Sequence, residues 1–131
     1  MNATELMIGD WVNFIYKEGC SSVKIVAIDS ERKFRDKEGS VRCLVDDEGA
    51  TCGYWAEQLN PIPLTTEILE KNGFRYDDSP FTQGWCGYGL LIYNGRVTAG
   101  QNVSMICQYA HQLQHILRLC GMNELADNFK I

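Results

Sequence analysis

The chain has little proline or histidine and no long run of hydrophobic residues. Its 131 residues include three prolines and two histidines, and no segment approaches the roughly 18 consecutive apolar residues of a membrane-spanning helix. The sequence does not begin with the basic stretch and apolar stretch of an export signal. These absences predict a soluble, cytoplasmic protein with no membrane partner.

The chain also lacks an excess of positive charge. There are 12 lysine and arginine residues against 17 aspartate and glutamate residues, which gives a net charge of −5. Proteins that bind nucleic acids or anionic membranes through surface charge usually carry a basic excess. One mixed stretch, 31–38, interleaves four basic with three acidic side chains, so nucleic-acid binding is kept only as an alternative.

The six cysteines show neither a disulfide framework nor a metal-binding pattern. No two are spaced as Cys-x-x-Cys, and free thiols are expected in a chain without an export signal. Cys86, in the segment 84–87, and Cys107, near the start of a predicted helix, are candidates for a reactive thiol. The sequence assigns a base to neither of them, so buried or idle thiols are the preferred interpretation.

Short runs of β-forming residues fill the first half of the chain. Turn-forming residues separate these runs, which occupy 11–16, 23–28, 41–45 and 51–59. This pattern is typical of a small SH3-like β barrel or a curled antiparallel sheet. Pro61 and Pro63 then interrupt it, because each proline keeps the preceding residue out of the helical region. The sequence therefore predicts a β subdomain over 1–62 and a second subdomain over 63–131.

The second subdomain begins with a short predicted helix and a predicted hairpin. Thr65 is a good N-cap, and Asn72-Gly73 is a typical helix end. Asn94-Gly95 stands between two β-forming runs, and this dipeptide accepts the positive φ angles of a type I′ turn. A helix followed by a β-hairpin is the expected start of this subdomain.

A long amphipathic helix is predicted over 103–120. Apolar residues recur at helical spacing through this segment, and Ile106, Leu113 and Leu117 should face the core. The expected fold class is therefore α+β: the SH3-like subdomain, a short helix, a β-hairpin and the long C-terminal helix.

Three segments of the chain carry a resemblance to a known family. They are Glu5-Leu-Met-Ile-Gly-Asp-Trp-Val12, Pro61-Ile-Pro-Leu-Thr-Thr-Glu-Ile-Leu-Glu-Lys-Asn-Gly-Phe74 and Tyr109-Ala-His-Gln-Leu-Gln-His115. In this order they resemble a family of small, uncharacterised proteins from gut anaerobic bacteria and their phages. The resemblance implies a β-rich N-terminal half, a Pro-x-Pro-Leu-Thr linker, a His-Gln-Leu-Gln helix and a bacterial setting. It implies no activity and no catalytic residue.

The two histidines lie in the last of these segments. His111 and His115 are four residues apart, so they share one face of the predicted helix and could bind a metal ion together. The zincin motif also needs a glutamate as general base, but position 112 is a glutamine, which cannot take a proton from water. At about 100° per residue, both imidazoles point about 160° away from the apolar stripe. This placement favours a polar face that is exposed or is covered by the β half or by a second copy of the chain, with pH sensing as a further alternative.

Two tryptophans complete the candidate binding residues. SH3-like barrels hold extended peptides between exposed aromatic side chains. Trp55 lies on the last predicted strand of the β subdomain and Trp85 on a predicted long loop of the second subdomain. A groove between the subdomains could contain both, although burial in a core is the ordinary role of tryptophan.

These observations predict a non-enzymatic binding or adaptor protein with a protein or peptide partner. No catalytic residue and no cofactor are assigned, and a homo-oligomer is left open. The candidate binding residues are Trp55, Trp85, His111 and His115. One alternative is a metal-binding protein or enzyme that uses His111 and His115, and another is a phage-associated regulator that binds nucleic acid.

Overall fold

The computed structural model describes residues 1, 3–16, 19–29, 42–47, 49–100 and 103–131. These residues form two compact units, Met1–Ile62 and Pro63–Ile131, here named the N-terminal unit and the C-terminal unit. Each unit contains a five-stranded antiparallel sheet, and helices complete the fold, so the predicted mixed α+β class is confirmed. In the described part of the chain, no helix has both the length and the apolar character needed to cross a membrane.

The sheet of the N-terminal unit has the strand order β4-β3-β2-β1-β5. The strands are β1 (Trp11–Tyr16), β2 (Gly19–Asp29), β3 (Arg42–Asp47), β4 (Ala50–Trp55) and β5 (Leu59–Pro61). Alternate residues point to the same face of a strand, and this face buries a compact apolar core. Its fully buried side chains include Val12, Val23, Ile25, Cys43, Val45 and Leu59.

The closed SH3-like barrel is not confirmed. Within the described residues the sheet is open, with β4 and β5 at its edges. The strand predicted over 51–59 is interrupted, because β4 ends at Trp55 and a 3-10 turn at Ala56–Gln58 leads into β5. The side-chain oxygen of Gln58 accepts a hydrogen bond of 2.9 Å from the backbone N–H of Trp55, which stabilises this turn.

The C-terminal unit combines a meander of five strands with three helices. Its elements are α1 (Thr66–Lys71), β6 (Arg75–Asp77), β7 (Gly84–Gly87), β8 (Leu90–Tyr93), β9 (Arg96–Ala99), β10 (Val103–Ile106), α2 (Ala110–Leu119) and α3 (Asn123–Asp127). The strand order is β10-β9-β8-β7-β6, so consecutive strands are neighbours. This order places β6 and β10 at the two edges of the sheet.

The predicted helix cap and hairpin of this unit are present. The hydroxyl of Thr65 accepts a hydrogen bond of 3.3 Å from the backbone N–H of Ile68 at the start of α1. Asn94 and Gly95 have φ angles of 50° and 73°, as a type I′ turn between β8 and β9 requires.

The helix predicted over 103–120 begins seven residues later than expected. Val103–Ile106 is strand β10, which pairs with β9 from Val103↔Ala99 to Ile106↔Arg96. Ile106 is 57% exposed, so its predicted burial was wrong, whereas Leu113 and Leu117 are buried. Residues 103–106 form a strand because their backbone pairs with β9 over four residues, a long-range contact that helical spacing does not reveal.

Candidate functional site

An open cleft of about 580 Å³ lies beside strand β6 in the C-terminal unit. Its lining consists of Glu70, Gly73, Phe74, Arg75, Tyr76 and Trp85. This volume falls within the range of roughly 300–1,000 Å³ that is usual for ligand sites. The cleft therefore is the primary candidate for a binding site in this unit.

Two aromatic side chains on neighbouring strands form one wall of the cleft. Tyr76 of β6 stands directly opposite Trp85 of β7 in the antiparallel register. Their ring centroids are 5.5 Å apart at an interplanar angle of 67°, the edge-to-face arrangement that aromatic pairs prefer. Tyr76 is 53% exposed and Trp85 is half-buried, so the pair offers aromatic surface to a ligand.

The end of α1 shapes the other side of the cleft. Gly73 has a φ of 87°, which ends the helix and turns the chain into β6. A side chain here would overlap the hydroxyl of Tyr88, which donates a hydrogen bond of 2.9 Å to the backbone oxygen of Asn72. The helix end and the strand are thus held at close distance.

The cleft brings together charges of opposite sign. Glu70 at the end of α1 and Arg75 at the start of β6 both line it and both are exposed. A ligand can therefore meet a carboxylate, a guanidinium group and two aromatic rings within one site. This combination suits recognition of a polar or peptide ligand, because it offers flat aromatic surface together with charges of both signs.

A second cleft, of about 250 Å³, also has Trp85 in its wall. The other lining residues are Leu64, Thr65, Thr66, Leu69, Ile92, Asn94, Gly95, Cys107 and Gln108. Backbone hydrogen bonds hold its rim, from Leu64 N–H to Gln108 O at 3.0 Å and from Cys107 N–H to Gly95 O at 2.8 Å. Trp85, predicted to lie on a long loop, instead lies on strand β7 between the two clefts.

The candidate thiol of Cys107 is unsuited to nucleophilic chemistry. Cys107 is 1% exposed, and this burial raises the pKa of its thiol to about 12. Cys107 also lies outside the helix that was predicted to contain it, because α2 begins only at Ala110. The thiol is protonated at neutral pH and acts as a small hydrophobic side chain.

Cys43 and Cys86 differ from each other in burial. Burial also raises the pKa of the Cys43 thiol, while the N-terminal amino group lowers it and Glu57 raises it to smaller extents. Cys86, the other candidate for a reactive thiol, is half-buried on β7 opposite Arg75. All six cysteines are free thiols.

The predicted outward position of the histidines was wrong for His111. Its side chain is 3% exposed, whereas His115 is half-buried. The two rings do lie together, with centroids 5.7 Å apart at 80°, and the ring of Tyr109 stacks on His111 at 6.0 Å. The histidines thus belong to a small aromatic cluster on α2.

Gln112 has a structural role in this cluster. Its side-chain oxygen accepts hydrogen bonds from the backbone N–H groups of Gln108 at 2.8 Å and Tyr109 at 3.2 Å. It therefore caps the start of α2 at the position where a zincin would carry its glutamate.

The histidine pair has no third metal ligand nearby in the described part of the chain. Among those residues, no three side chains of histidine, cysteine, aspartate or glutamate converge on one point. Zinc sites in proteins are usually built from three or four protein ligands. Neither histidine is among the described residues that line the two clefts beside Trp85.

Trp55 ends strand β4 of the N-terminal unit and is half-buried. It stands opposite Arg42 in the register with β3. Trp55 and Trp85 belong to different units, so a groove that contains both stays a prediction. The charged stretch 31–38, which carried the nucleic-acid alternative, lies outside the described residues.

Sequence reasoning missed Tyr76, Glu70 and Arg75 as residues of the site. One signal was available: Phe74 and Tyr76 alternate along a β-forming run, as residues on one face of a strand do. The sequence could not show that this run pairs with the segment around Trp85, because a loop of six residues separates the two strands.

Comparisons with known proteins give no match to this chain, either among protein-family models, among curated proteins or among solved structures.

Proposed function

We propose that this protein is a non-enzymatic binding module whose C-terminal unit holds an extended peptide along the outer edge of β6. One observation carries the proposal: the aromatic cleft of about 580 Å³ lies directly beside an edge strand. The peptide would add a strand to the sheet and place one or two of its side chains in the cleft.

Edge strands are suited to this task by their backbone chemistry. A strand at the edge of a sheet presents N–H and C=O groups that its neighbour does not use. An added peptide pairs with these groups, and pockets beside the strand select its side chains. β6 pairs with β7 on one side, and Arg75 and Tyr76 are both exposed.

The lining of the cleft supports recognition of a side chain with both apolar and polar parts. Tyr76 and Trp85 provide flat aromatic surface, while Glu70 and Arg75 provide a negative and a positive group. Aromatic rings and arginine are the residue types enriched at the centres of binding interfaces. The opposite charges would orient the bound segment rather than attract ligands of one sign.

The proposal of a non-enzymatic role is supported by what the candidate catalytic groups do. The Cys107 thiol is buried with a raised pKa, and the Gln112 side chain caps a helix. Both are used for stability of the fold.

We also propose an SH3-like character for the N-terminal unit and a cytoplasmic setting. The pairing of β5 with β1 after a 3-10 turn supports the first, and six free thiols, which a reducing compartment preserves, support the second. Membership of the family from gut anaerobes and phages stays a proposal based on the three sequence motifs.

Selection of peptides from a phage-displayed random library on the purified full-length chain tests the peptide proposal. Selected peptides are labelled, and their affinity is measured by fluorescence anisotropy. Tyr76→Ala should weaken binding about tenfold or more, because truncation of a central aromatic contact commonly costs 1–2 kcal/mol.

Tyr93→Ala is the matched control. Tyr93 is 54% exposed, close to the 53% of Tyr76, but it lines neither cleft. Equal effects of the two substitutions, or no enrichment of any peptide over an unrelated protein, would refute the proposal.

A further inference from the structure

The edge strand β6 has a sequence that is complementary to itself. It reads Arg75-Tyr76-Asp77, with a cation and an anion on either side of a tyrosine. We propose that β6 pairs with β6 of a second copy of the chain, in antiparallel orientation about Tyr76, and so forms a symmetric homodimer. In the absence of a peptide, a second copy of the chain therefore occupies this edge.

Charge complementarity supports the second copy as occupant. In an antiparallel pair centred on Tyr76, Arg75 stands directly opposite Asp77 of the second copy, and the two-fold axis repeats the contact. Directly opposite side chains have Cβ atoms about 4.5–5.5 Å apart, and opposite charges at such positions stabilise a strand pair. Two identical ion pairs therefore follow from one three-residue strand.

Asp77 is already oriented by its own loop. Its side-chain oxygen accepts a hydrogen bond of 2.9 Å from the backbone N–H of Ser79, and a carboxylate has a second oxygen to offer. Arg75 is exposed. Both charged groups are therefore available at the strand edge in the positions that the pairing requires.

The aromatic residues beside β6 also fit the proposed pairing of two copies. Tyr76 and Trp85 already form a cross-strand pair on one face of the sheet. Pairing about the two-fold axis would place Tyr76 beside Tyr76 of the second copy, and so would continue the pair into a row of four aromatic rings across two sheets. Such aromatic cross-strand pairs are among the more stabilising ones in sheets.

Phe81 supplies the apolar contact that a three-residue strand lacks. Its side chain is 98% exposed, at a turn in which Thr82 N–H donates to Ser79 O at 3.1 Å. Because the strands run in opposite directions, the loop after β6 passes the residues that precede β6 in the second copy. Those residues, Gly73 and Phe74, line the cleft, so the Phe81 ring would enter the cleft of the second copy.

This inference goes beyond the proposed function, and the two share one edge of the sheet. A dimer covers the outer edge of β6 and fills both clefts with Phe81 rings. Peptide and second copy would therefore exclude each other, and excess peptide should convert dimer to monomer.

The mass of the full-length chain in solution tests the dimer. Sedimentation equilibrium from about 5 to about 500 µM brackets the micromolar affinity expected of a small interface. The mass should rise from the 14.9 kDa of one chain towards twice that value.

Two charge reversals give the sharpest test. Arg75→Asp places a carboxylate opposite Asp77 of the second copy, and Asp77→Arg places two guanidinium groups opposite each other, so each variant alone should stay monomeric. An equimolar mixture should dimerise again, because each variant then supplies the charge that the other lacks. This recovery also shows that both variants are folded.

Further variants separate the contacts. Asp77→Asn keeps an acceptor for Ser79 N–H but removes the charge, and it should weaken dimerisation about tenfold, as loss of a close interfacial charge pair does. Phe81→Ala should weaken it by a similar factor, while Leu119→Ala, at a residue that is 75% exposed on α2, should have no effect. Glu57→Arg changes charge in the N-terminal unit and should leave the dimer intact.

A mass that stays at one chain up to 500 µM would overturn the dimer, as would a dimer that persists in Arg75→Asp or fails to recover in the mixture. These outcomes are distinct from failure of the peptide proposal, which is measured by anisotropy at chain concentrations of about 1 µM, well below those that favour a weak dimer. If the chain stays monomeric but binds peptide through Tyr76, only the dimer proposal is refuted. If the chain dimerises but binds no peptide, only the peptide proposal is refuted.

Discussion

At the scale of single residues, burial makes the thiol of Cys107 a determinant of stability at high pH. The unfolded chain releases this proton near pH 9.0, whereas in the folded protein the pKa is about 12. Between these values the unfolded state binds fewer protons, so the free energy of unfolding should fall by about 1.4 kcal/mol per pH unit from this group. Below pH 9 the group should contribute no pH dependence.

Denaturant unfolding of Cys107→Ala between pH 8 and pH 10.5 tests this expectation. The variant should lose a part of the decline in stability that the unaltered chain shows above pH 9. Cys20→Ala, at an exposed thiol, should keep the whole decline. Identical pH profiles for the Cys107 variant and the unaltered chain would show that the thiol does not titrate in this way.

His111 shows that helical spacing alone does not decide which residues of a helix are buried. The predicted apolar face points about 160° away from His111, and it does so even when Ile106, which belongs to a strand, is left out. The residues buried on α2 itself are Ala110, His111, Leu113, Gln114, Ile116 and Leu117. At about 100° per residue these span an arc of about 220°, and His111 lies at its edge. The arc is wide because α3 packs against α2, where Gln114 Nε2 donates to Ala126 O at 3.0 Å.

At the scale of elements, the start of α2 depends on the side chain of Gln112. Its oxygen accepts from the backbone N–H groups of Gln108 and Tyr109, for which the helix offers no backbone carbonyl. Gln112→Ala should therefore lower the free energy of unfolding by about 1 kcal/mol. Gln112→Glu should be neutral or slightly stabilising, because it keeps the acceptor and adds a negative charge at the positive end of the helix dipole.

Denaturant unfolding of both variants measures this difference. Gln83→Ala, at an exposed glutamine in the loop between β6 and β7, should leave stability unchanged. If Gln112→Glu were as destabilising as Gln112→Ala, the cap would not be the reason that glutamine occurs here.

Turns were more predictable than the elements they connect. Asn94-Gly95 specifies its turn locally, since both residues tolerate positive φ. Tyr88-Gly89 makes a comparable turn, with φ angles of 53° and 77°, but tyrosine gives no such signal. The boundary of the last helix was not local either, because whether Val103–Ile106 is helix or strand depends on its pairing with β9.

At the scale of the whole molecule, the difference between features set by local sequence and features set by long-range pairing explains what could be predicted of the candidate site. Trp85 was identified because a tryptophan is a rare and large side chain. Its companions Tyr76, Glu70 and Arg75 become neighbours only through the β6–β7 pairing and the end of α1. Strand register over a loop is set by packing across the sheet, which a single sequence does not display.

The two units should also differ in how they respond to damage in their cores, because each has its own sheet and its own buried side chains. Ile25 and Leu113 are both fully buried, one in each unit. Truncation of such a residue to alanine costs about 2–5 kcal/mol, and amides in the affected cooperative region lose protection from hydrogen exchange accordingly. Ile25→Ala should therefore lower protection roughly 30-fold or more in β1, β2 and β3 while β8, β9 and α2 keep theirs, and Leu113→Ala should give the converse. Hydrogen exchange followed by mass spectrometry on the full-length variants measures both patterns. If either substitution lowered protection equally along the described chain, the two units would unfold together. A ligand bound at β6 would then stabilise the sheet of the N-terminal unit as much as the sheet of the C-terminal unit.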